Sequence, residues 1–119
     1  MSVMALQPLS AGELAGTPTL FASFLGHVGT RYKTVAELLA IYRERRMARL
    51  PDKEVGDHMR VDRFMADMAG DRWREDVVVR LGVFDEAVLM IDGIHRGIAY
   101  LACSERISAD RLPALHVSR

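Results

Sequence analysis

A single cysteine, Cys103, stands in 119 residues. This excludes an intramolecular disulfide and any Cys-rich zinc site, and it fits a reducing cytoplasm, the expected location. Net charge is also missing. Sixteen Lys and Arg cancel sixteen Asp and Glu, which argues against a uniformly basic polyanion binder and against a long disordered tail. No long hydrophobic run is present: the stretch Leu20 to Val28 is short and is broken by Ser23, Gly26 and His27. A membrane-spanning helix needs about 20 apolar residues, so no membrane insertion is expected. The N-terminus has no basic leader region, and internal repeats and low-complexity tracts are absent. Four histidines, His27, His58, His95 and His116, are too scattered for a transition-metal signature.

Half of the residues are apolar. A chain of this length buries roughly two-thirds of its unfolded surface, enough for one domain across residues 1–119 and too little for two. The charge balance is a sum over unlike parts. Residues 1–30 carry one acid, Glu13; residues 31–60 carry eight bases against five acids; residues 61–119 carry eight against ten. Fourteen of the sixteen bases are Arg, the residue suited to forked contacts with phosphate or carboxylate, although a compositional bias toward Arg explains the count equally well.

Three segments follow. Residues 1–33 read as an N-terminal extension whose Gly and Pro residues argue against a long helix, with Thr19 to Leu25 able to pair as an edge strand. Residues 34–56 read as a basic helix and loop. Thr34-Val35-Ala36-Glu37 has the form of a capping box, and the helix it starts should run to about Leu50, where Pro51 stops it. Val35, Leu38, Leu39 and Tyr42 form its early apolar stripe; Arg43, Arg45, Arg46 and Arg49 follow, either as a solvated face or as a salt-sensitive contact for nucleic acid or protein. Residues 57–118 read as the core. A second helix follows Asp57, with Val61, Phe64, Met65 and Met68 at i, i+3, i+4 and i+7 and a stop at Gly70. Val77-Val78-Val79 reads as a strand, Gly82 to Glu86 as a turn, and Ala87 to Ile91 as a second strand. Neither run alternates in polarity, so burial on both faces is expected. A helix bearing Ile94, Ile98, Leu101 and Ala102 on one face and a last strand at Leu115 to Val117 complete an α/β (α+β) domain: a small mixed sheet flanked by helices.

The polar turn Asp92-Gly93-Ile94-His95-Arg96-Gly97 lies between a buried strand and a helix. Unpaired amides there carry about half a positive charge, which makes the turn an anion site. Gly93 would admit a ligand close to the backbone. His95 offers a proton near neutral pH, and Arg96 offers a fork for phosphate. Asp92 is a candidate for the helix cap, a metal ligand or a partner of His95. Asp-Gly is equally an ordinary turn pair.

The stretch Val88 to Leu101, with Arg111-Leu112-Pro113-Ala114-Leu115-His116-Val117, resembles the core of the ParB/sulfiredoxin-like superfamily: a strand, a Gly-x-His-Arg turn, a helix with Ala near its start and a Pro-led strand. The resemblance spans about residues 57–118. It implies that Gly93, Ile94, His95 and Arg96 cradle the phosphates of ATP or another nucleotide, and that Arg60 and Arg63 join them from the preceding helix. It also implies Mg²⁺ shared with phosphate and positioned by Asp92. Two departures narrow the activity. Sulfiredoxins have a cysteine where this chain has Ile94, and Cys103 reads as inert core, so sulfinic acid reduction is not expected. The chromosome-segregation ParB proteins have a Glu where this chain has His95, and DNA recognition through an appended domain is not expected here.

The resemblance therefore implies a stand-alone member, of which plasmid fertility-inhibition proteins are one type. The expected activity is hydrolysis of ATP or a related nucleotide, with or without DNase activity, acting on DNA or on a protein of a DNA-transfer complex. His95, Arg96 and Asp92 are its catalytic candidates. A nucleotide-dependent serine-type kinase with Glu54 or Asp57 as base is the first alternative. A non-catalytic module that binds nucleic acid or protein is the second.

Overall fold

The computed structural model describes residues 6–20, 33–45, 52–70, 72–73, 75–84 and 86–119. Along them run β1 (Gln7–Pro8), α1 (Ala11–Ala15), α2 (Val35–Arg45), α3 (Asp52–Ala69), β2 (Val77–Phe84), β3 (Ala87–Asp92), α4 (Ile94–Ser104), a 3-10 turn (Ala109–Arg111) and β4 (Leu115–Ser118). The fold is mixed α/β. Its four strands form one sheet in the order β1-β4-β2-β3. β2 and β3 make an antiparallel hairpin, β4 lies parallel to β2, and β1 pairs antiparallel with β4. A parallel neighbour requires a crossover connection, which here consists of β3, α4 and the 3-10 turn.

The capping box forms as its residues dictate. The Glu37 amide donates to Thr34 Oγ1 at 3.2 Å, and the Thr34 amide donates to Glu37 Oε1 at 3.3 Å. Val35, Leu38, Leu39 and Tyr42 are all buried. The expected run of this helix to Leu50 lies outside the described residues.

α3 starts at Asp52 and not after Asp57, so the boundary expected at residue 57 falls inside one element. Gly56 lies inside the helix in open space, with nothing within 4 Å of where a Cβ would be. A glycine in a helix costs about 1 kcal/mol relative to alanine, which tertiary burial of Val61, Phe64, Met65 and Met68 readily offsets. The helix ends where expected, with the Gly70 amide donating to Ala66 O at 2.9 Å.

The hairpin departs from its sequence reading twice. β2 continues through Gly82 to Phe84, which pairs with Ala87 at the start of β3, and Glu86 has φ 66°. Gly82 stays in the strand because Ile91 of β3 packs where its side chain would be, 3.0 Å from a Cβ. The far end of the hairpin is not buried on both faces either. Val83 and Val88 face each other across the strands and are exposed, Val83 by 76%. β3 is the last strand of the sheet, and among the described residues a parallel bridge from Thr19 to Met90 meets its outer edge. The predicted pairing of the Thr19 segment thus begins as expected; residues 21–25 lie outside the described residues.

α4 occupies the centre. One apolar face was expected, but Gly97, Ala99, Tyr100 and Cys103 are buried along with Ile94, Ile98, Leu101 and Ala102. From Gly97 to Cys103 the helix is enclosed by α1, α2, α3 and β2, and a stretch enclosed on all sides is apolar all round, while its first turn carries His95 and Arg96. Residues 6–20 are integral to this packing. β1 extends the sheet, and Leu14 of α1 is fully buried against the core.

Candidate functional site

β3 and α4 meet at Gly93, whose φ of 85° and ψ of 17° turn the chain directly from strand into helix. A Cβ there would lie 3.0 Å from Val78 O and 3.2 Å from Val79 Cα. Glycine is therefore required by the neighbouring strand β2 and by the positive φ, independently of any ligand. Asp92 is not the helix cap: Gly93 holds that position without a side-chain cap. The Asp92 carboxylate instead accepts from the Gly93 amide at 2.9 Å and lies 3.9 Å from the Arg96 guanidinium.

His95 has a different partner from the one expected. Its Nε2 is 2.8 Å from Oδ1 of Asp57, and both side chains are mostly buried, with 15% and 20% exposure. Asp57 reaches it from α3, thirty-eight residues earlier. The pair fixes the imidazole between the helix that carries it and the helix packed against it, as a carboxylate commonly orients a histidine that moves protons.

His95 lines a cleft of about 410 Å³, together with Arg60, Phe64, Trp73, Glu75, Asp92, Gly93, Ile94 and Arg96. Its size is in the usual range for small-molecule sites, roughly 300–1,000 Å³. The first amides of α4 open toward the turn by helix geometry, since the first intrahelical bond is from the Gly97 amide to Gly93 O at 2.7 Å. Two guanidiniums and an imidazole thus share a cleft with a helix N-terminus, against the carboxylates of Glu75 and Asp92. Ile94 contributes only its backbone, because its side chain is buried in the core.

Of the other expected contact residues, Arg63 and Arg43 are described and are not at this site. Arg63 is exposed on α3 and does not line the cleft. Arg43 is engaged in an ion pair with Glu105, which joins α2 to the end of α4 and holds the Glu105 carboxyl below its ordinary range through the guanidinium's hydrogen bonds. It is therefore not an uncommitted phosphate ligand. The side chain of Arg45, and Arg46 and Arg49 entirely, lie outside the described residues, as does the side chain of Glu54. Cys103 is buried, its Sγ 3.7 Å from Met65 O. Burial pushes its thiol pKa up, which keeps it unreactive as expected.

No group of three His, Cys, Asp or Glu side chains comes together as a metal site among the described residues. His58 instead stacks on Tyr42 at 4.8 Å, and His116 lies 3.4 Å from Asp76. The cleft's own carboxylates fit the small demand of Mg²⁺ carried by phosphate, which usually takes one or two carboxylates from the protein. No helix among the described residues is long and apolar enough to cross a membrane. No protein-family model, curated protein or solved structure matches the chain.

Sequence reasoning missed the wall residues Phe64, Trp73 and Glu75 and the partnership of Asp57 with His95. None carries a local signal, because each is joined to the turn only by the packing of α3 and the segment after it against α4.

Proposed function

We propose that this chain is a ParB/sulfiredoxin-like domain that binds ATP or a related nucleotide by its phosphates at the start of α4 and hydrolyses it. One observation carries the reading: Arg60, His95 and Arg96, from two helices, converge on a single cleft at a helix N-terminus. Phosphate oxygens would accept from the α4 amides and from the two guanidiniums, whose charge also offsets charge that builds up on the transferred phosphoryl group. Phosphoryl transfer depends mostly on positioning and charge stabilisation, so a small site suffices. Water attacks the terminal phosphorus as the bond to the leaving oxygen breaks. His95, held by Asp57, supplies the proton for the leaving group. Mg²⁺ bound with the phosphates would neutralise further charge, with Asp92 and Glu75 as its ligands on the protein.

Hydrolysis of a free nucleotide is favoured over cleavage of DNA. The cleft has the volume of a small-molecule site, and Arg43 of the proposed DNA-contacting stripe is already paired with Glu105. Asp57, a candidate base for the kinase alternative, is committed to His95. Phosphate release from ATP tests the reading. The wild-type protein should turn over, and H95A and R96A should each abolish turnover. Turnover that persists in the H95A/R96A double variant would place the chemistry elsewhere, and release that requires added serine would favour the kinase.

A further inference from the structure

The cleft has an aromatic wall that phosphate binding does not use. Phe64 of α3 and Trp73 meet edge to face, their ring centroids 5.3 Å apart and their planes at 89°. Both line the cleft that also contains Arg60 and the Asp92–Arg96 turn. Both are only partly buried by the core they pack against, so aromatic surface remains within the cleft. The Trp73 Nε1 is itself buried and has no hydrogen-bond partner among the described residues. An indole N–H that is buried usually has one. The indole is therefore held here by its packing and not by its polar atom.

A site for inorganic phosphate or a polyphosphate has no need of such a wall. A site for a nucleotide does, because every base presents a π-face that stacks on aromatic side chains with little regard to its identity. The cleft volume of about 410 Å³ also leaves room beyond the helix terminus for a ring system.

We propose that the Phe64–Trp73 wall receives the base of a nucleotide whose phosphates lie at the start of α4. The substrate class is then nucleotides, as distinct from polyphosphates and phosphorylated compounds that lack an aromatic ring. This inference rests on the phosphate-binding reading above and is separable from it by experiment.

Trp73 is the only tryptophan in the chain, so indole emission comes from this residue, which also borders a second cleft beside Arg111. ATP and inorganic tripolyphosphate are each titrated into the wild-type protein. Fluorescence is excited at the red edge of indole absorption, and binding is measured independently by calorimetry. ATP should quench Trp73 and tripolyphosphate should not, and ATP should bind roughly tenfold more tightly, the range of one base–aromatic stack. In W73L that advantage should vanish while tripolyphosphate affinity stays within about twofold, as expected for a residue that touches only the base. If W73L fails to fold, W73F serves in its place: the retained ring should keep most of the ATP advantage, and the wild-type quenching result stands without any variant. Equal affinity for the two ligands with no quenching by ATP would overturn the base site and leave the phosphate site standing. Binding of neither ligand would overturn both.

Discussion

Gly93 and the Asp57–His95 pair determine how the cleft is built at the level of single residues. Gly93 has a backbone conformation that side chains rarely adopt, and its missing Cβ is filled by Val78 and Val79. G93A should therefore lower stability in urea unfolding by about 1–3 kcal/mol, the usual cost of a strained backbone position. A change within about 0.5 kcal/mol, typical of an ordinary surface site, would contradict the packing described. Cys103 gives a pH-dependent expectation. Its folded pKa is raised by burial, so the native thiol stays protonated where the unfolded thiol ionises. The stability this contributes is complete below the unfolded thiol's pKa and is lost as pH rises through the folded value. Alkylation at mildly alkaline pH should be slow in the native protein and fast in denaturant; equal rates would show an accessible thiol. Both residues stood out in the sequence, Gly93 as a point where a ligand could approach the backbone and Cys103 as inert core. What the sequence lacked was the neighbour: Val78 beside Gly93 and Asp57 beside His95 are tertiary facts.

Elements were legible where local chemistry decides them. The Thr34–Glu37 capping box, the stripe from Val35 to Tyr42 and the stop at Gly70 each follow from adjacent residues. T34A should cost about 1 kcal/mol by removing the acceptor for the Glu37 amide, measured by chemical denaturation; no loss would mean that the cap is supplied by other groups. Elements were misread where tertiary burial overrides a local signal. The sequence reading started α3 after Asp57, yet the helix begins at Asp52 and runs through Gly56, carried by the buried face from Val61 to Met68. Uninterrupted apolar runs suggested two-sided burial for both strands; Val77 to Val79 are buried or half-buried as expected, but β3 is at the end of the sheet, and its Val88 and Ile91 are exposed. α1 and β1 were too short to leave a periodic signal, although both pack into the fold.

For the whole molecule, the sequence showed a mixed α/β fold and a candidate turn, and the fold supplied the site. Residues 57, 60, 64, 73, 75 and 92–96 come together because α3 packs along α4 and the chain beyond α3 returns past its start. Charge shows the same relation between sum and arrangement. A net charge of zero is silent about a cleft in which Arg60 and Arg96 meet, and it is equally silent about Arg63, three residues from Arg60 but outside the cleft. That difference gives the most direct test of nucleotide phosphate binding at this site. Calorimetric titration of ATP with Mg²⁺ should show binding to the wild-type protein and to R63A with matching affinity. Binding should be at least tenfold weaker in R60A and in R96A, since each loses a charge-assisted hydrogen bond to phosphate, worth about 1.5–3 kcal/mol. Unchanged affinity in R60A and R96A, or a loss confined to R63A, would contradict the site.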